Sequence, residues 1–230
     1  MNSLFSSVLK EGRVALTVNE SKRILADYGF SINKSLLLSS EQDIPSVCDQ
    51  LIFPVAMKIV SPQIIHKTDV GGVVLNLNSV QDVTTKFLAM TSSIRSRFPD
   101  YTIDGVLLEE QVPQGFEFIA GVVNDKVFGQ CLMFGLGGIF VELVKDTSFR
   151  LIPASLADIS NMVQEIKFSN ILNGVRGMKV DKDQLIATLF KLSQFVSDNT
   201  DVISEIDLNP IIATNDRIVI VDARIILKAH

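Results

Sequence analysis

Histidine is nearly missing from this chain. Only two of the 230 residues are histidine, and one of them is the terminal His230. Zinc centres built on imidazole are therefore disfavoured. Cysteine is equally scarce. Cys48 and Cys131 have no metal-ligand spacing and no partners for a disulfide framework, so both read as small buried residues in a reducing compartment. There is no block of basic residues, and 21 Lys and Arg against 26 Asp and Glu leave a formal charge of −5. That balance argues against binding to nucleic acid, whose phosphates need clustered cations. No apolar run of membrane length and no signal peptide stand out, which points to a cytoplasmic protein with no membrane partner. What remains is enough chain for one large domain or two small lobes with real cores.

The most informative stretch is VAMKIVSPQIIHKTDVGGVVLNL, from Val55 to Leu77. Residues 53–60 are apolar and partly β-branched apart from Lys58, and they predict a buried strand that Pro62 ends. Strand character returns at Val73, Leu75 and Leu77. The loop between the two runs holds His66, Lys67, Thr68, Asp69 and the pair Gly71-Gly72. Glycines there permit a close backbone approach, with amide groups free to cradle phosphate, or else they simply make a turn. A lysine inside an apolar strand needs a counter-charge, and a bound phosphate would supply one.

Helical and strand patterns alternate along the rest. Thr17-Val18-Asn19-Glu20 has capping-box form and predicts a short helix that stops near Gly29. A brief strand over 35–38 and a helix around 46–51 follow. Ser79 with Asp82 predicts a helix that buries Val83, Phe87, Met90 and Ile94 and stops before Pro99. Residues 105–112, 116–123 and 127–134 read as consecutive strands, the last two joined by a turn at Asn124-Asp125. After the glycine cluster GLGG (135–138), helices are expected near 155–166 and 181–196, then strands at 202–209 and 217–225. The mixed order with adjacent strands predicts an α+β fold.

The last strand pair carries a second constellation. In SEIDLNP, Glu205, Asp207 and Asn209 are spaced by two, so a strand sets all three on one face. A two-residue turn at Asn215-Asp216 pairs Thr214 with Arg217, and counting back sets Asn209 opposite Asp222. Opposed residues share a face about 5 Å apart at Cβ. Carboxylate and amide oxygens so arranged suit Mg²⁺, with waters and phosphates completing the shell. Pro210 would shift this count by a residue if it bulged the strand, and an exposed polar sheet face is the plainer alternative. Arg176, between Gly174 and Gly177, is a weaker anion candidate, and a solvated loop arginine is the plainer reading there.

These pieces together resemble a known family. KIVSPQIIHKTDVGGV, LLEEQVPQGFEFIAGVV, MFGLGGIFVELVKDTSFRL, GVRG, EIDLNP and VDARI occur here in the order found in the nucleotide-binding (beta) subunit of NDP-forming acyl-CoA synthetases, relatives of succinyl-CoA synthetase. The resemblance runs from about Leu16 to Leu227. Gln130 stands where the family frequently has proline, and Val175 where it has an aromatic residue. Nothing resembles the family's CoA-binding domains.

The resemblance implies an ATP-grasp fold of two α+β lobes with the nucleotide between them. The smaller lobe would cover about 20–109, and the larger 1–19 with 110–230. It implies that Lys58 contacts nucleotide phosphates, that the backbone at Glu109 and Val112 holds the adenine, and that Glu117 binds the ribose. Asn209 and Asp222 would be the Mg²⁺ ligands, Asp207 an acid facing a phosphohistidine, and His66 a loop histidine that carries a phosphoryl group. The implied partner is a CoA-binding alpha subunit with its own catalytic histidine, in a hetero-oligomer. The implied reaction is acyl-CoA + ADP + phosphate ⇌ acid + CoA + ATP, a largely electrostatic phosphoryl transfer in which imidazole is both nucleophile and leaving group. Two other readings stand beside it: an ATP-grasp carboxylate ligase that needs no phosphohistidine, and a non-catalytic nucleotide-binding regulatory module.

Overall fold

The computed structural model describes residues 3–64, 67–138, 146–167, 169–175 and 177–228. The chain divides into two compact units, Asn33–Gln111 and a larger one made of Met1–Ile32 with Val112–His230. The boundary expected near residue 20 thus lies at 32/33. The helix over Val18–Asp27 (α2) explains the shift: Ile24 and Leu25 are in the larger unit's core, with Phe30 just after them, and Ile32 forms a β-bridge with Ile220.

The smaller unit is a four-stranded antiparallel sheet backed by two helices. Its strands are β1 (Ser35–Leu38), β2 (Val55–Val60), β3 (Val73–Leu77) and β4 (Gly105–Glu110), in the order β1-β4-β2-β3. Val55, Met57 and Ile59 of β2 and Val106 and Leu108 of β4 share one face. There they pack with α3 (Ile44–Cys48) and α4 (Val80–Arg97), whose buried residues include Val83, Phe87, Met90 and Ile94 as their spacing predicts. Period-two alternation turns Ala56, Lys58, Leu107 and Glu109 to the opposite face. The loop returns to β2 through Gly72, whose amide donates to Lys67 O at 2.7 Å and whose carbonyl accepts from Ile59 N at 2.8 Å. A Cβ at Gly72 would lie 2.5 Å from Ile59 Cγ2, so this glycine is needed for packing.

The larger unit has a six-stranded antiparallel sheet. It comprises β5 (Phe116–Asp125), β6 (Gly129–Leu136), β7 (Thr147–Leu151), β8 (Ile203–Ala213), β9 (Ile218–Ile220) and β10 (Ala223–Leu227). The order is β10-β8-β5-β6-β7, with β9 also paired to β8. Its inner face, including Phe118, Phe134, Ile206, Leu208 and Ile211, packs against α2 and against α1 (Ser3–Lys10), α5 (Leu156–Glu165) and α6 (Lys182–Asp198). Thr17 with Glu20 forms the reciprocal capping box that its sequence suggests, and Ser155 with Asp158 forms a second one, each cap worth about 1 kcal/mol. Arg13 holds Glu20 at 2.8 and 3.0 Å and pulls its carboxyl down to about 2.

Three features differ from the sequence reading. The β5–β6 turn lies at 126–128 rather than at Asn124-Asp125, since Asp125 pairs with Gly129 and its Oδ1 accepts from Val127 N and Phe128 N. Helix α1 and strand β7 were not expected. β7 exposes Phe149 and Leu151, so apolar side chains mark its outer face and the usual alternation signal is lost. No described helix is long and apolar enough to cross a membrane.

Candidate functional site

In the smaller unit, Lys58 projects from the middle of β2 on the face away from the helices. Its Nζ lies 2.6 Å from Glu109 Oε2, and the two side chains are 17 % and 1 % exposed. Lys58 pairs in register with Leu107, and Ala56 with Glu109, so the ion pair crosses the β2–β4 ladder diagonally. Glu109 is therefore distinguished by its side chain. Its main chain sits mid-sheet between Ser35 and Ala56. Since Gln111 N donates to Pro54 O in the same ladder, the parity turns the Glu109 amide and carbonyl toward Ala56. This differs in kind from the backbone contact that the resemblance assigns to Glu109.

The end of β4 is tied down at several points. Glu110 N donates to Lys34 O at 2.9 Å, Glu110 O accepts from Asn33 Nδ2 at 3.0 Å, and Glu110 Oε1 accepts from Ile52 N at 3.0 Å. Gln111 Oε1 accepts from Asn76 N at 2.6 Å, with Asn76 in a left-handed conformation at φ 58°. Val112 follows at once, as the first residue of the larger unit's second segment. His66 and Arg176 lie outside the described residues.

In the larger unit, β8 alternates as its sequence predicts. Ile206 and Leu208 are buried, while Glu205, Asp207 and Asn209 face outward. Thr214 N donates to Arg217 O and Ile211 pairs with Ile220. Asn209 N donates to Asp222 O at 3.3 Å, and Asp207 pairs with Arg224. The register is the one counted back from a two-residue turn, and it brings Asn209 opposite Asp222. Pro210 leaves it intact, its carbonyl accepting from Val221 N at 3.0 Å. The slips of β8 fall elsewhere: by one residue against β5 between Phe118 and Ala120, and against β10 between Ile226 and Leu227.

Asp207, Arg224, Glu205, Gly121 and Met133 line a hollow of about 170 Å³ on this outer face. Burial pushes the Asp207 carboxyl above its ordinary value, the like charge of Asp222 adds to the shift, and Arg224 opposes it. Asp222 Oδ1 accepts from Ala223 N at 2.9 Å. Among the described residues no three His, Cys, Asp or Glu side chains cluster as a metal cage. One carboxylate and one amide oxygen instead fit Mg²⁺, which keeps waters and phosphate oxygens in its shell.

Glu117 stands near the start of β5 and is exposed. The glycine cluster closes against it: Gly137 N donates to Glu117 O at 2.8 Å, and a Cβ at Gly138 (φ 63°) would lie 2.9 Å from Glu117 Oε2. Sequence reasoning did not connect this turn with Glu117 or Glu109 with Lys58, because each link depends on a strand register that the sequence leaves open. Arg224 opposite Asp207 follows from the same count that sets Asp222 opposite Asn209, and it was missed.

A model of the ATP-grasp domain matches residues 7–227. The chain is 40% identical over 228 residues to the acetate–CoA ligase [ADP-forming] II subunit beta of Pyrococcus furiosus, covering 98% of this chain and 97% of that one. Among solved structures it resembles the dinucleotide-forming acetyl-coenzyme A synthetase 1 of Ca. Korarchaeum cryptofilum. In complex with coenzyme A, Ca-AMPCP and HgCl+, that protein superposes with a TM-score of 0.92 at 39% identity, covering 98% of both chains. With coenzyme A and Mg-AMPPCP, its phosphohistidine segment pointing towards the nucleotide-binding site, the TM-score is 0.84 at 37% identity over 98% of both chains. The α+β architecture expected from the sequence is thus an ATP-grasp fold, and the chain belongs to the ATP-grasp family, in the branch of the ADP-forming acetate–CoA ligases.

Proposed function

We propose that this chain is the nucleotide-binding subunit of a cytoplasmic ADP-forming acyl-CoA synthetase. It moves a phosphoryl group between a phosphohistidine and ADP or ATP in acyl-CoA + ADP + phosphate ⇌ acid + CoA + ATP. The observation that carries this reading is the in-register Asn209–Asp222 pair with Asp207 beside it on one sheet face. Two oxygen ligands and a neighbouring acid suit a Mg-nucleotide that exchanges a phosphoryl group. Mg²⁺, when bound there, would neutralise phosphate charge as the group is transferred. Lys58 holds the phosphates, the backbone at Val112 the adenine, and Glu117 the ribose. His66 carries the phosphoryl group.

The Pyrococcus relative is named a beta subunit, which supports a separate partner. That partner is a CoA-binding alpha subunit whose histidine takes the phosphoryl group from an acyl phosphate. The test is co-purification with the CoA-binding chain, followed by a screen of short acids for CoA-dependent ADP formation. The complex should form acyl-CoA and the chain alone should not; acyl-CoA formation by the isolated chain would refute the division of labour. His66→Ala should retain nucleotide affinity and lose most of the turnover. Normal turnover would favour a ligase without a phosphohistidine on this chain.

A further inference from the structure

We propose that Glu109 is a positioning residue: its buried carboxylate fixes the Lys58 ammonium in the orientation that meets the nucleotide phosphates. This rests on the proposed role of Lys58 in nucleotide binding and adds to it a residue that acts through another. The geometry is specific. The carboxylate is 1 % exposed, 2.6 Å from Nζ, and is carried by an inner strand of its sheet, which β1 and β2 flank. Lys58 has four rotatable side-chain bonds and a compact charge, so by itself it would spread over many rotamers. A carboxylate locked in the sheet removes most of that freedom before any ligand arrives, and preorganisation of this kind appears as affinity. The ammonium has three N–H donors, so one can remain on Glu109 while another meets phosphate.

The test is a set of calorimetric titrations of the full chain with Mg-ADP and with adenosine, on the parent, Lys58→Gln, Glu109→Gln and the double variant. Glutamine keeps the volume but removes the charge, so the comparison of Mg-ADP with adenosine separates a positioning role from a general loss of stability, which would weaken both ligands. Lys58→Gln and Glu109→Gln should each weaken Mg-ADP about tenfold while leaving adenosine within about twofold. The double variant should be no worse than Lys58→Gln alone, because Glu109 acts through that residue. If Glu109→Gln does not fold, Glu109→Asp, which keeps the charge with a shorter reach, should show the same selective loss for Mg-ADP. Normal Mg-ADP affinity in a folded Glu109 variant beside a weakened Lys58→Gln overturns the inference alone, as does additivity in the double variant. A parent that does not bind Mg-ADP, or a Lys58→Gln that binds it normally, removes the nucleotide role of Lys58 and the inference with it.

Discussion

The two units hold their charges in opposite ways. In the smaller one, Lys58 and Glu109 are enclosed by a sheet and touch at 2.6 Å, the acid at 1 % exposure. In the larger one, Glu205, Asp207, Asn209 and Arg224 project from the outer face of an open sheet with the partly exposed Asp222, and β8 buries only its alternate apolar side chains. A buried pair is interdependent: each ion has given up water and relies on the other. Exposed carboxylates are individually dispensable to the fold, because water takes over whatever is lost. The first arrangement suits a fixed cation. The second suits oxygen ligands that must accept and release a metal with its nucleotide.

The most forceful way to break this contrast is Lys58→Met. It leaves Glu109 buried without its ammonium, and the chain should lose about 3 kcal/mol of stability. Lys58→Met/Glu109→Leu removes both charges and should recover most of it. Urea unfolding of both variants checks the pair, and a double variant as unstable as the single one would mean that mutual desolvation is not what binds these residues.

Asp222→Ala asks the converse question on the exposed face. Stability should stay within about 0.5 kcal/mol of the parent, as for most surface substitutions. Affinity for ADP in the presence of Mg²⁺ should fall roughly tenfold, with little change when the metal is chelated. Isothermal titration with and without Mg²⁺ makes the measurement. An unaltered Mg²⁺ dependence would place the metal elsewhere.

The same contrast explains what could be read without coordinates. The exposed face was legible because its information is local: Glu205, Asp207 and Asn209 alternate within one strand, and a two-residue turn fixes Asp222 opposite Asn209. The helix over 80–97 was legible for a similar reason, through Ser79, Asp82 and its apolar stripe. The Lys58–Glu109 pair is non-local. It requires β2 to lie beside β4 with Ala56 opposite Glu109, and no turn joins those strands. Lys58 was recognisable as a charge in need of a partner, but a phosphate and a glutamate answer that need equally well. Strand β7 escaped because its exposed side is apolar, and α2 was assigned to the wrong unit because its packing partners are distant in sequence.

Gly138→Ala perturbs the outer face more gently. The left-handed backbone costs a non-glycine residue about 1 kcal/mol, and the added methyl would press on Glu117 Oε2. Affinity for ADP should fall by about as much as in Glu117→Gln, severalfold, with adenine alone unaffected. Competition titrations with ADP and adenine test it, and a loss shared equally by both ligands would detach Glu117 from the ribose.

Asp207→Asn should have the smallest effect, and its sign discriminates most sharply. Burial and the charge of Asp222 raise the Asp207 carboxyl above its ordinary value, so the folded state disfavours the ionised form. Below the ordinary carboxylate range both folded and unfolded chains are protonated, and there is no penalty. As pH rises through that range the unfolded chain ionises first and stability falls. The loss is complete once pH passes the raised value of the folded state. Because Asp207 faces outward, solvent screening limits the loss to about a few tenths of a kcal/mol. The metal-free parent should therefore lose slightly more stability than Asp207→Asn as pH rises from about 4 through the ordinary carboxylate range and above it. Saturating Mg²⁺ offsets the charge of Asp222, so it should narrow the gap. Urea midpoints for both proteins, with chelator and with Mg²⁺, provide the comparison. Parallel pH profiles, or a gap that ignores the metal, would mean that Asp207 and Asp222 do not share a field and that the outer face is only a solvated sheet surface.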